Sequence, residues 1–97
     1  MRKYVVLATW TDQGQRNDRD TTKRGQAFAS LLESLGAKLE TVLWTLGHYD
    51  IVCVIDAPDD ETVTAAMLKL GSFDNVRTAT MRAFTSDEVD RILQKTA

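Results

Sequence analysis

Residues 47–50 read Gly-His-Tyr-Asp, and they place the chain's single histidine beside a phenol and a carboxylate. Those groups are the usual currency of proton transfer, which needs donor and acceptor within hydrogen-bond reach of one reacting atom. Histidine as a residue type titrates near neutrality, about 6.5 when unperturbed, which suits proton transfer. The flanking pattern argues against a joint acid–base unit. Residues 38–46 alternate polar and apolar, residues 49–55 are largely apolar, and Gly47-His48 between them reads as the tip of a hairpin. A two-residue tip puts Gly47 at the first central position of a type II′ turn, where positive φ is required. Leu46 then faces Tyr49, Thr45 faces Asp50 and Trp44 faces Ile51, and Tyr49 and Asp50 point to opposite sides of the sheet. The expectation is that Asp50 accepts a hydrogen bond from Thr45 or from turn amides, Tyr49 packs at the sheet end, and His48 is a surface residue.

Other reactive groups are few. Cys53 is the only cysteine and sits in the run Ile51-Val52-Cys53-Val54-Ile55, so it reads as buried packing, with no disulfide and no cysteine-rich metal site available. One histidine without cysteines or paired carboxylates makes a poor metal site, and no metal or cofactor is expected. Arg77 and Arg82 lie at odd separation on one extended segment, so they point to opposite faces and cannot clamp one carboxylate together. An inward-facing arginine needs a partner such as Asp50 or an anionic ligand; otherwise both are edge-strand charges that discourage aggregation. Arg16, Arg19, Lys23 and Arg24 are interleaved with Asp12, Asp18 and Asp20 and read as a solvated surface. There is no glycine-rich phosphate loop, no nucleophile elbow and no histidine pair at helical spacing.

If the chain has a pocket, it should lie between a sheet and its helices or inside a barrel, where Trp10, Trp44 and Met81 offer apolar walls. Trp10, Trp44, Tyr49, Asp50 and Arg77 are the residues assigned to ligand binding. Residues 11–20 form the longest stretch without periodic pattern and suit a lid over the cleft. The competing reading of both tryptophans is plain core at strand ends.

These side chains need a scaffold, and its elements are legible. Residues 4–10 are β-branched and aromatic without helical spacing, a strand. Ala27, Phe28, Leu31, Leu32 and Leu35 recur at helical spacing before Gly36, which predicts a helix over 22–35. The hairpin follows. Pro58 and three acidic residues start a second helix with the stripe Val63, Ala66, Met67 and Leu70, closed by Gly71. Residues 75–84 read as a fourth strand, and Thr85-Ser86-Asp87-Glu88 fits a capping box for a terminal helix carrying Val89, Ile92 and Leu93.

Strand, helix, strand, strand, helix, strand is the split βαββαβ order of a ferredoxin-like α+β domain with an antiparallel four-stranded sheet, here with an added C-terminal helix. Strands one and three are apolar on both faces, as central strands should be. Both helices cross to one side, leaving an apolar face that a second copy would cover in a dimeric α/β-barrel assembly. At 97 residues with 43% hydrophobic content, one domain spanning 1–97 is expected, at least dimeric. A formal charge of −2 gives no pull toward nucleic acid or anionic membrane. Residues 1–10 look superficially like a signal peptide, but the apolar stretch is short and no small-residue cleavage site follows. A cytoplasmic protein is expected.

Trp10-Thr11-Asp12-Gln13-Gly14, Gly47-His48-Tyr49-Asp50, Ala57-Pro58-Asp59-Asp60, Asn75-Val76-Arg77-Thr78 and Ala83-Phe84-Thr85 together resemble the GYD domain family across nearly the whole chain. The resemblance implies relatives of the dimeric α/β-barrel proteins and carries over no catalytic residue. Three functions follow as expectations. The first is a homodimer or higher homo-oligomer binding a small apolar or aromatic molecule in the sheet–helix cleft. The second is a cofactor-independent monooxygenase or isomerase whose polar groups, His48, Tyr49 or Asn75, line an enclosed cavity. The third is a structural oligomerisation module.

Overall fold

The computed structural model describes residues 1–97. Strand β1 (Arg2–Trp10) is followed by a short helix α1 (Asp12–Arg16), a 3-10 turn (Asp18–Asp20) and helix α2 (Thr21–Ser34). Strands β2 (Lys38–Trp44) and β3 (Ile51–Ala57) form the hairpin; helix α3 (Asp60–Gly71), strand β4 (Val76–Ala83) and helix α4 (Ser86–Gln94) complete the chain. The sheet order is β2-β3-β1-β4 with every pair antiparallel. The two strands that are apolar on both faces are thus the two inner ones, as their sequences predict. The molecule is only 18 Å thick along its short axis, one layer of helices on one sheet.

Alternation decides which side chains meet the helices. Tyr4, Val6 and Ala8 of β1 and Cys53, Ile55 and Ala57 of β3 are buried, and all but Ala8 share one cluster with Phe28 and Leu32 of α2 and Val63 and Ala66 of α3. Leu32 and Ile55 have no exposed surface at all; removing a side chain of that size from water is worth about 1.5–3 kcal/mol. Tyr4 carries its hydroxyl into this layer and donates it to the Asp60 carboxylate, so the buried phenol is not left unpaired.

Caps follow sequence closely. The Asp59 carboxylate accepts the Thr62 amide at 2.8 Å to start α3. Thr85 and Glu88 form the reciprocal capping box expected for α4, and the bond from the Thr85 amide holds the Glu88 carboxyl below its usual range. Arg82 faces the helix side, its guanidinium 4.4 Å from the Phe84 ring centre and 3.7 Å from a Glu88 oxygen. Its partner is therefore Glu88, not Asp50. Beyond this junction Val89, Ile92 and Leu93 of α4 stay on the surface.

Two local expectations change. Residues 11–20 are not patternless: Thr11 caps α1 by accepting the Gly14 amide, and the 3-10 turn leads directly into α2. The hairpin is also longer than a two-residue tip. Trp44 does face Ile51, and Gly47 has φ of 100°, as the turn reading requires. But the ladder ends there: beyond it only the Thr45 amide bonds back, to the Asp50 carbonyl at 2.8 Å, and Leu46 in the Thr45 to Asp50 connection is fully exposed. Leu46 and Tyr49 are not a ladder pair.

On the side away from the helices lie Val5 and Leu7 of β1, Val52 and Val54 of β3, Leu43 of β2 and Met81 of β4, each opposite another member or a small residue. Leu43 is 57% and Met81 46% exposed. Lys3 closes one end of this face with ion pairs to Glu40 at 2.7 Å and Asp56 at 2.9 Å. No helix is long and apolar enough to cross a membrane.

Candidate functional site

Three segments distant in sequence meet at one end of the sheet. The Trp10 amide donates to Asp50 Oδ2 at 2.9 Å, the Asp50 amide donates to the Ala8 carbonyl at 2.9 Å, and the Thr45 amide donates to the Asp50 carbonyl at 2.8 Å. Asp50 thus ties the hairpin to the end of β1. Its carboxylate does not receive Thr45, whose hydroxyl goes to the Tyr49 carbonyl at 2.6 Å. A strand end has unpaired backbone donors, and a carboxylate supplies a strong acceptor for one of them.

The third segment joins through α1. The Thr11 amide reaches the Asn75 carbonyl at 3.1 Å, the Thr11 hydroxyl the Asp74 carbonyl at 2.6 Å, and Gln13 Nε2 both the Phe73 carbonyl at 3.0 Å and Asn75 Oδ1 at 3.1 Å. Gly14 makes this fit possible: a Cβ there would lie 1.9 Å from the Asn75 carbonyl oxygen. Backbone can approach backbone that closely only where no side chain intervenes.

Beside this junction, between the sheet and helices α2 and α3, lies a cavity of about 480 Å³ lined by 19 residues, 14 of them hydrophobic. That volume suits a small-molecule site. Trp10, Phe28, Trp44 and Phe73 supply aromatic wall; Val6, Ala8, Val42 and Ile51 supply its strand floor. The two indoles differ. Trp44 Nε1 donates to the Thr21 hydroxyl at 2.9 Å, whereas Trp10 Nε1 is buried without a partner. An unpaired buried donor is costly and uncommon. The charged residues of the lining are Arg24 and Lys69, both cations. Cys53 also borders the space, and burial pushes its thiol up to about 11, which makes it a poor nucleophile at neutral pH.

Of the residues assigned to ligand binding, Trp10 and Trp44 line this cavity, while Tyr49, Asp50 and Arg77 do not. Asp50 stands one bond away, through the Trp10 amide. Tyr49 packs edge-on against His48, ring centres 4.8 Å apart, in the connection. Arg77 is exposed opposite Thr9, on the sheet face away from the helices. Met81, expected as a cavity wall, faces Val5 on that same side. Residues 11–20 are no lid either: none of them lines the cavity, and hydrogen bonds from Thr11 and Gln13 fasten the start of the segment to residues 73–75. Sequence reasoning misses Phe73, Arg24 and Lys69. Phe73 lies just beyond the glycine that closes the α3 pattern, and Arg24 is hidden within a mixed-charge stretch.

Three of the five segments on which the family resemblance rests meet here, and a family model describes the chain from residue 4 to residue 93 as a GYD domain. The chain belongs to the GYD domain family. A GYD-family relative in Thermus thermophilus, named glutamine synthetase and cystathionine beta-lyase binding protein, is 36% identical over 84 residues, 86% of this chain and 88% of the relative. Among solved structures, TTHA0845 from Thermus thermophilus superposes with a TM-score of 0.57 at 24% identity, over 89% of this chain and 96% of that one. The leucine response regulatory protein LrpA of Mycobacterium tuberculosis gives a TM-score of 0.60 at 16% identity over 88% of this chain. The GYD chain spans about half of that regulator, 51% of its length. These likenesses establish a ferredoxin-like fold. In GYD terms, Gly47 takes the positive φ of the connection and Asp50 fastens Trp10.

Proposed function

We propose that this GYD domain is a binding protein for a small, largely apolar molecule held between the sheet and helices α2 and α3. The observation that carries the reading is the cavity itself, about 480 Å³ with aromatic walls. A lining this apolar is unfavourable when left to water, and an apolar occupant would bury it. The Asp50 and Gly14 junctions support the reading because they brace Trp10 and Asn75 at one end of the cavity. A site built on fastened elements pays less ordering cost on binding.

The oxygenase or isomerase reading has less support. Of His48, Tyr49 and Asn75, only Asn75 borders the cavity, and its Oδ1 already accepts Gln13.

A protein-interaction role is the second reading, and the apolar sheet face favours it. The Thermus relative's name describes a protein that binds two enzymes. We infer that this face mediates association with a second copy, in the manner of a dimeric α/β-barrel, or with a partner protein.

The test of the first reading is extraction. Natively purified protein is denatured in organic solvent, and the released small molecules are compared with those from Val42→Trp, which fills the cavity from β2. The expected result is a compound enriched with the native protein and absent from the variant. Equal recovery from both would contradict the reading.

A further inference from the structure

We propose that the cavity selects aromatic monocarboxylates, with the ring between the aromatic walls and the carboxylate at the α1 end, received by Arg24. The proposal rests on reading the cavity as a ligand site and adds the chemical class of its occupant.

Charge is the first support. The whole chain is formally −2 with 14 acidic residues, yet no aspartate or glutamate lines the cavity, whose only charged residues are Arg24 and Lys69. Arg24 is half-buried and has no carboxylate within ion-pair distance. Its guanidinium gives one N–H to the Asn17 carbonyl at 2.6 Å and one to the Gly14 carbonyl at 3.3 Å. A guanidinium has five donors in a planar fork, so donors remain free, and a planar carboxylate is their best-matched acceptor.

Hydrogen-bond polarity is the second support. The Arg24 guanidinium lies at the α1 end of the cavity, bonded to the Gly14 carbonyl. Free guanidinium donors call for a group that only accepts, which an ionised carboxylate does. Four aromatic rings, Trp10, Phe28, Trp44 and Phe73, line the rest, and offset or edge packing against them favours a planar ring system over a flexible chain.

The full-length protein tests this by calorimetric titration with 2-naphthoate, 2-naphthamide and 2-naphthylmethylammonium, which share a ring system and differ in charge. The expected order is naphthoate tightest, the amide weaker by about tenfold or more, and the ammonium weakest, the charged hydrogen bonds supplying the difference. Arg24→Gln should bring naphthoate and naphthamide to within about twofold of each other, and Arg24→Lys should retain the order. The preference of the native protein is measured without any variant, so an unstable Arg24→Gln leaves the test intact. Equal binding of acid and amide, or tighter binding of the ammonium, overturns the carboxylate assignment while leaving the cavity a ligand site. Binding of none of the three overturns both.

Discussion

The Trp10 amide and the Asp50 carboxylate are 40 residues apart in sequence and 2.9 Å apart in space. This bond turns the aspartate of the Gly-His-Tyr-Asp segment into a structural clasp between the hairpin and the wall of the cavity. Asp50→Ala removes a charge-assisted bond and should lower stability by about 1.5–3 kcal/mol, read from urea midpoints. Asp50→Asn keeps an acceptor oxygen and should cost less. An unchanged midpoint for the alanine variant would show that the clasp carries no stability.

Gly14 and Gly71 make a matched pair of substitutions. A Cβ at Gly14 would lie 1.9 Å from the Asn75 carbonyl oxygen, whereas one at Gly71 would meet nothing within 4 Å. Gly14→Ala should therefore displace α1 and cost roughly 1–3 kcal/mol, the range of overpacked sites. Gly71→Ala should be neutral or stabilising by up to about 1 kcal/mol, since alanine is the better helix former. Thermal or chemical denaturation of the two variants side by side checks the contrast.

Cys53 offers a chemical probe of the cavity. Burial pushes its thiol up to about 11, so at pH 8 it holds a far smaller thiolate fraction than a free cysteine, whose pKa is about 8.5. Alkylation by iodoacetamide at pH 8 should be slower than that of free cysteine by on the order of a hundredfold or more. Occupation of the cavity should slow it again, because Cys53 borders that space. Mass spectrometry of the labelled fraction over time gives both rates.

Tyr4 sets an alkaline limit. Burial first, and then the hydrogen bond to Asp60, raise its hydroxyl above the ordinary value. An unfolded chain ionises tyrosine at about pH 10. The folded phenol ionises later, so its contribution is intact below about pH 10 and is lost as pH rises toward the folded value. Urea midpoints from pH 8 upward should fall beyond pH 10, and Tyr4→Phe should remove part of that fall.

The exposed sheet face gives a prediction about assembly. Leu43 and Met81 are its most exposed large apolar residues, and charges placed there should oppose stacking of one sheet on another. Sedimentation velocity should show concentration-dependent association for the native chain and a shift toward monomer for Leu43→Lys with Met81→Lys. A native chain that stays monomeric at micromolar concentration would remove the inference of self-association.

Much of the scaffold is legible in the sequence because local chemistry and packing agree. The capping box at Thr85 and Glu88 needs only four residues to be recognised, and it forms. The inner position of β1 and β3 follows from apolar residues on both faces. The junction at the end of the sheet is less legible because it is made by backbone carbonyls of residues 73–75, which any residue type presents. Within the hairpin alone, Thr45 is the obvious donor to Asp50, while the carboxylate's partner is the amide of Trp10. Arg77 and Met81 follow from parity alone: opposite partners on β1 place them with Thr9 and Val5, away from the cavity, once the register is known.

The central claim is that the space between the sheet and helices α2 and α3 is a ligand site. The two tryptophan indole resonances test it most directly, since Trp10 and Trp44 both line that space and are the only tryptophans in the chain. In a nitrogen-15 correlation spectrum titrated with 2-naphthoate, both indole signals should move and saturate together while the backbone amides of Leu43 and Met81 stay in place. Indole signals that do not move, with shifts confined to Leu43 and Met81, would contradict it.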